Sequence, residues 1–312
     1  MGNCCNQELR EKDANSNQIT DLLSKNDSST EVLAHRPNQN RATLTGAMNS
    51  LHTIVKRVED SLRNFEFEGK INAQFADLPV LGPYLYENGA TYLGQYQNGK
   101  RHGRGRQVWK DGSLYEGYWL NDQSSIRGRI IHCEGDYYEG QWTMDQAEGH
   151  GIYTHTDGTT YEGQWENDLQ TGKGSERWPD GTVYEGEYVD SLKHGKGQFS
   201  WADGSKYIGQ FEDNDIQGRG VYSWSDGREF VGNWEKNKMH GRGRFTWSDG
   251  RVYDGEYFND KKHGQGTFTW PDGRVYEGQW ENGKQHGEGY QVENGIKRKG
   301  YWKDGERFKW LD

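Results

Sequence analysis

Along this chain an aromatic residue stands two places before a glycine every 23 residues: Tyr92, Tyr115, Tyr138, Tyr161, Tyr184, Tyr207, Phe230, Tyr253 and Tyr276. A fixed period of this size marks a repeat array, in which each unit buries its apolar face against its neighbours. Within one unit, two short alternating runs, Thr267 to Trp270 and Val275 to Trp280, flank Pro271-Asp272-Gly273. That pattern predicts a β-hairpin. Proline favours the first central position of a type I turn, with glycine following in the left-handed conformation. A three-residue loop then pairs Trp270 with Arg274. Alternation places Gly266, Phe268, Trp270, Tyr276, Gly278 and Trp280 on one face, and Thr267, Thr269, Glu277 and Gln279 on the other. Glycine inside a strand marks close approach by another group, so rings are expected to lie across the bare backbone. The second connection, Glu281 to Gly287, reads as a longer link between hairpins. The prediction is an all-β repeat array: an elongated, twisted, single-layer antiparallel meander of eighteen strands.

The residues before the array follow other patterns. Residues 1–42 are rich in Asn, Ser, Gln and Asp and read as a disordered tail. Leu44, Met48, Leu51, Val55, Val58, Leu62 and Phe65 then fall at steps of four and three, predicting an amphipathic helix over 43–66. Such a helix either caps the aromatic face or edge of the sheet, or pairs with another chain as a homodimer. The array itself occupies 67–312, with degenerate terminal units.

Composition changes the picture in one respect. Only 31% of the 312 residues are hydrophobic and the mean hydropathy is −1.18, values typical of disorder. Yet 13% are aromatic, with 44 glycines, and all 13 tryptophans fall at or after Trp109. Aromatic payload concentrated in the repeats lets a thin array hold together. Three cysteines, two of them adjacent, give no disulfide framework and suggest a reducing compartment. No apolar run reaches the length of a membrane span. A cytoplasmic location is expected.

The pattern Asp-Gly-x-x-Tyr-Glu-Gly-x-Trp-x-x-Gly-Lys-x-His-Gly-x-Gly, nearly whole from Asp272 to Gly289 and seen again around Tyr161, Tyr184 and Tyr253, resembles the MORN repeat. The resemblance covers about residues 82–302. It departs at Ile126-Arg127-Gly128, which lacks the first glycine of His-Gly-x-Gly, and at Gln217, where histidine is expected. The unit ending Lys299-Gly300-Tyr301-Trp302 lacks the tyrosine and reads as a cap. What the resemblance implies is a twisted single-layer sheet used for scaffolding near membranes or in ciliary and cytoskeletal assemblies. Relatives that carry a lipid-kinase or methyltransferase domain have no counterpart here.

Candidate chemistry lies mainly at the start of the chain. Gly2 stands where N-myristoylation requires it, although Asn6 replaces the favoured Ser or Thr, and Cys4 and Cys5 are the natural palmitoylation sites. A single myristoyl chain binds membranes only marginally, with an association constant of about 10⁴ M⁻¹. The local charges of Glu8, Arg10, Glu11 and Lys12 cancel, so a second acyl chain is needed. Lys100, Arg101, Arg104 and Arg106 cluster in the first unit and are a candidate phosphoinositide-headgroup site along one edge. The net charge of −10 opposes general attraction to lipid or nucleic acid.

His102, His150, His194, His240, His263 and His286 recur at one position and read as loop geometry. Glu116, Glu139, Glu162, Glu185, Asp254 and Glu277 read as a solvated acidic column with neighbours too far apart for a metal site. Cys133 reads as an isolated strand residue. No catalytic residue, metal or cofactor is expected. The favoured function is a non-catalytic scaffold or adaptor at the cytoplasmic face of a plasma or ciliary membrane. The rivals are a phospholipid-binding module, a soluble axonemal or cytoskeletal component, and a carbohydrate-binding array.

Overall fold

The computed structural model describes residues 53–311. The expected tail over 1–42, the acylation residues and Leu44, Met48 and Leu51 of the helix stripe lie outside those residues. The described chain falls into two compact units divided between Pro179 and Asp180.

The N-terminal unit opens with helix α1 (Thr53–Ser61) and the short helix α2 (Gly69–Gln74). Its strands are β1 (Val80–Leu85), β2 (Thr91–Gln97), β3 (Lys100–Val108), β4 (Leu114–Leu120), β5 (Gln123–Ile131), β6 (Tyr137–Thr143), β7 (Gln146–Thr154), β8 (Thr160–Glu166) and β9 (Leu169–Arg177). Each pairs antiparallel with the next, a meander. The C-terminal unit continues in the same style. It runs through β10 (Val183–Val189), β11 (Leu192–Ser200), β12 (Lys206–Glu212), β13 (Asp215–Ser223), β14 (Glu229–Glu235) and β15 (Lys238–Thr246). After these come β16 (Val252–Phe258), β17 (Lys261–Thr269), β18 (Val275–Glu281), β19 (Lys284–Glu293), β20 (Ile296–Lys303) and β21 (Glu306–Trp310). The eighteen expected strands are β2 to β19, and β1, β20 and β21 add to them.

The hairpin loop forms as the prolines predict. Trp270 N donates to Arg274 O at 2.9 Å, Gly273 N donates to Trp270 O at 3.0 Å, and Gly273 has φ +87°. The second connection is shorter than expected. Glu281 pairs with Lys284, leaving a two-residue turn in which Asn282 and Gly283 both have positive φ. Asn, Asp and Gly tolerate this conformation, and mirror-image turns match strand twist. The residues read as loop instead extend the strand and form a bulge, with Gly287 at φ +64°.

One face of the sheet is built on facing glycines. Gly186 pairs with Gly197, which pairs with Gly209, which pairs with Gly220. The Tyr184 ring lies over the first pair: a Cβ on Gly186 would stand 2.2 Å from the tyrosine oxygen, and one on Gly197 would stand 2.6 Å from it. The hydroxyl donates to Glu187 O at 3.1 Å. The same bond recurs from Tyr138 to Gln141 O, Tyr207 to Gln210 O and Tyr276 to Gln279 O. Tryptophans lock this arrangement from the following unit. Trp142 and Trp165 donate from Nε1 to the carbonyls of Gly128 and Gly151 at 3.0 and 3.2 Å. In the N-terminal unit the rings of Tyr92, Trp119, Tyr115, Trp142, Tyr138 and Trp165 meet edge to face at 5.0–5.5 Å. Each such pair contributes roughly 0.5–1.5 kcal/mol beyond area burial.

The helix stripe is used, but on the other face. The helix ends at Ser61, and residues 62–68 have no regular secondary structure. Val55 is fully buried with Val108, Leu114 and Ile131, and Val58, Leu62 and Tyr137 pack around them. These strand residues sit on the face opposite Tyr115, Gly117 and Trp119. The aromatic face cannot take a helix because its rings already cover one another: Tyr92, Tyr115 and Tyr138 are 0–1% exposed. Val108 and Ile131, at a position that is polar in the units from Thr154 to Thr269, supply the helix seat together with Leu114.

Two tests follow from the packing. Replacing Gly186 with Val puts a branched side chain where the Tyr184 ring and Gly197 Cα stand, and should cost about 3 kcal/mol or more. The same change at Gly300 meets Trp302 ring atoms at 2.8 Å, with the next contact, a backbone oxygen, at 3.2 Å, and should cost less. Thermal melts by circular dichroism compare them. The second test concerns Lys262, whose Nζ lies 4.4 Å from the Phe268 ring centre, 4.8 Å from Trp280 and 5.0 Å from Trp247. Burial pulls its pKa down to about 8. Between pH 8 and 10.5 the unfolded chain binds a proton that the folded chain does not, so stability rises with pH across that window. Met239 holds the same place one period earlier. Lys262→Met should therefore raise the melting temperature at pH 7, with the advantage shrinking by pH 9.5.

Candidate functional site

In the N-terminal unit the polar face of the sheet is a receptor occupied by the chain's own residues 53–75. The bulges decide what this face presents. After left-handed Gly103 the strand presents Arg104 opposite Tyr118, and after left-handed Ile126 it presents Arg127 opposite Gln141 on the following strand. The residue after the preceding strand's glycine caps the bend. Gln95 Oε1 accepts from Arg104 N at 2.8 Å and Gln141 Oε1 accepts from His150 N at 2.6 Å.

The covering segment meets these cations with carboxylates and aromatic rings. Arg106 forms a bidentate pair with Glu59 of α1. Arg127 lies 3.7 Å from Glu68 and 2.8 Å from Glu139. Arg129 pairs with Glu139 at 2.6 Å and donates to Arg63 O at 2.9 Å. The Phe65 ring faces the guanidinium groups of Arg127 and Arg129 at 5.5 and 5.8 Å, and Phe67 faces Arg104 at 6.0 Å. Phe67 also meets Tyr118 edge to face at 5.2 Å. Tyr118 is fully buried and donates to Glu68 O at 3.3 Å. Gln95 Nε2 secures the end of the segment by donating to Phe75 O at 2.6 Å. Beside it a cavity of about 660 Å³ opens between Asn64 and Glu66 and the strand residues Arg129, Glu139 and His150.

The acidic column is therefore solvated only in part. Burial pushes the Glu116 carboxyl above its usual range, with Arg106 opposing, and Glu139 holds two arginines. The exposed expectation fits Glu162, Asp254 and Glu277. Among the described residues no group of three or more His, Cys, Asp or Glu could hold a metal ion. The repeated histidines make turn contacts: His102 Nδ1 accepts from Asn121 N at 3.3 Å, and His286 lies 3.4 Å from Glu281. Cys133 is a half-buried residue of the hairpin loop, not of a strand, and its N–H donates to Ser113 Oγ at 3.0 Å.

The four basic candidates do not share an edge. Lys100 is exposed at the start of β3. Arg101 is 6% exposed on the aromatic face, 4.2 Å over the Trp119 ring and paired with Asp122 at 3.3 Å. Arg104 and Arg106 lie on the opposite face beneath the covering segment. Gly2, Cys4 and Cys5 lie outside the described residues. The covered receptor escaped sequence reasoning, although Tyr118 carried a signal: it stands where other units have Gln141, Gln164 or Gln210.

The MORN repeat family model matches residues 92–114, 138–160, 161–183, 184–206, 207–227, 230–250, 253–273 and 276–292. The chain belongs to the MORN-repeat family. The matches leave out 115–137, a unit that keeps the MORN geometry, with Tyr115 donating to Tyr118 O at 3.1 Å. Its departures are Tyr118 and Ile126, which takes φ +69° where other MORN units place glycine. A comparison with curated proteins finds no significant match. Among solved structures, the TCP10 domain of Danio rerio CPAP aligns at 12% identity over 63% of this chain and 92% of that one, with a TM-score of 0.36. The SAS-4 TCP domain of Drosophila melanogaster, in complex with a proline-rich motif of Ana2, aligns at 16% identity over 56% and 96%, with a TM-score of 0.32. Likeness at these scores carries no functional argument.

The aromatic contacts of Phe67 give the segment its own test. Phe67→Ala removes its ring contacts with Phe65 and Tyr118 and should cost roughly 1–3 kcal/mol. Limited proteolysis should then cut near residues 62–68 faster than in the parent chain, with the melting of the strands little changed.

Proposed function

We propose that this MORN-repeat protein is a non-catalytic scaffold or adaptor that organises protein partners at the cytoplasmic face of a membrane. The observation that carries the reading is the contrast between the polar faces of the two units. In the N-terminal unit residues 53–75 cover that face around Arg104, Arg106, Arg127 and Arg129. In the C-terminal unit the same face presents exposed Ile208, Arg219, Arg242 and Asp254, on strands whose aromatic side is closed by its own rings. A firmly packed sheet with one open face suits binding. The headgroup reading of Lys100, Arg101, Arg104 and Arg106 draws no support from this geometry, since three of the four are engaged within the chain.

The membrane part of the proposal rests on Gly2, Cys4 and Cys5. With cancelled charge around them, no polybasic patch supplies a second signal, and two acyl chains are needed for stable anchoring. Gly2→Ala should leave the protein wholly in the soluble fraction, and Cys4→Ser with Cys5→Ser should leave only transient membrane association. Membrane fractionation reads both. A double cysteine variant that pellets firmly with membranes would refute the two-lipid account. A wild-type chain found only in the soluble or cytoskeletal fraction would favour an axonemal or cytoskeletal component instead.

A further inference from the structure

The arginine group that receives the covering segment occurs twice. Arg104, Arg127 and Arg129 recur, five 23-residue periods on, as Arg219, Arg242 and Arg244. The carboxylate that orients them recurs as well. Glu139 pairs with Arg129 at 2.6 Å, and Asp254, in the same register, lies 3.5 Å from Arg244. The strand pairing around the two groups is the same, with Arg129 opposite Glu139 and Arg244 opposite Asp254.

Only the covering differs. The side chains of Arg129 and Glu139 are 10% and 25% exposed, against 59% and 64% for Arg244 and Asp254. Arg219 and Arg242 are exposed too, and among the described residues neither side chain has an acidic partner. Around them Tyr118 is replaced by Asn233, Glu116 by Val231 and Arg106 by Val221, with Ile208 55% exposed nearby. The second group therefore offers cations beside an aliphatic strip in place of a buried tyrosine.

We propose that the face built on Arg219, Arg242 and Arg244 is a second receptor of the same kind. Its occupant is an extended segment of a partner protein in which two aromatic residues alternate with two carboxylates. The N-terminal unit shows the chemistry: Phe65 and Phe67 lie against guanidinium groups, and Glu68 approaches Arg127. Charge complementarity selects an acidic residue at the second copy, because exposed Arg242 has no counterpart of the Glu68 that approaches Arg127 in the first. Val221, Val231 and Ile208 supply apolar contact for the rings, which anionic headgroups would not use. The inference rests on the scaffold reading and names the class of partner that the scaffold holds.

The test uses the intact chain and a fluorescein-labelled peptide with the sequence of Leu62 to Phe75, followed by fluorescence anisotropy. Saturable binding at one peptide per chain is expected, weakening with added salt. Arg219→Glu with Arg242→Glu should weaken it at least tenfold, as should Phe65→Ala with Phe67→Ala in the peptide. Lys236→Glu, at an exposed turn, should leave it unchanged. Circular dichroism melts confirm that the exposed substitutions leave the fold intact. Absence of binding, or binding indifferent to the double reversal, overturns the proposal.

Two other results overturn it by naming a different occupant. Phosphatidylcholine vesicles containing phosphatidylinositol bisphosphate, bound through these arginines while the peptide is not, would make the face a headgroup site. A dimer seen by sedimentation that dissociates on the double reversal would make the occupant a second copy of this chain. Because anisotropy needs no membrane, failure of the anchoring account would appear in fractionation and leave the peptide result untouched.

Discussion

A tyrosine ring laid over two facing glycines is the contact on which the rest of this structure depends. A single-layer sheet has no second layer to bury its apolar side against, yet burial is the main favourable term in folding. Glycine pairs such as Gly186 and Gly197 remove the Cβ atoms that would hold a ring away from the backbone, and Tyr184 settles into the space. The hydroxyl then reaches a carbonyl three residues on, and an aromatic ring of the following unit, here Phe211, closes the other side. Glycine weakens a strand in isolation. Here it is what allows the sheet to serve as its own second layer.

That solution leaves the opposite face without a structural duty, and the two units use the freedom differently. In the N-terminal unit Val108, Leu114 and Ile131 make a seat for α1, and arginines beside it collect carboxylates and rings from the stretch that follows. In the C-terminal unit the corresponding positions are Ser223, Glu229 and Thr246, which offer no seat for an apolar helix. A stripe of aliphatic substitutions thus separates a face closed by its own chain from one that stays open.

Much of the fold was legible because its determinants are local. The 23-residue step, the alternation on either side of Asp-Gly and the prolines at Pro179 and Pro271 fix hairpins, faces and the pairing of Trp270 with Arg274. The second turn was misjudged for an equally local reason: Asn282-Gly283 is a two-residue turn signal, and the following His-Gly element disguised a bulge as loop. What the sequence could not show was a matter of depth. A heptad stripe says that a helix has an apolar side, not which of two sheet faces receives it. Tyr118 could have said so, since a buried aromatic residue on a polar row needs something to bury it. The basic cluster failed as an edge because alternation along β3 puts Arg101 on one face and Arg104 and Arg106 on the other.

The two-residue turns carry a record of their own position. The second turn residue reaches back to the start of the preceding unit's strand: Asp122 Oδ1 accepts from Arg101 N, Asp145 from Ser124 N, Asn237 from Ile216 N and Asp260 from Met239 N. At the first such turn the position is Gly99, with no earlier unit to clasp, and at Gly283 the side chain is again absent while the backbone bond to Lys262 O persists at 2.9 Å. Interior and terminal units are therefore not interchangeable blocks. A copied interior unit brings its clasp with it and lengthens the array without a seam. A terminal unit moved inward would bring a glycine, and one strand start would lose its side-chain acceptor. The ends of this array are written in its turns.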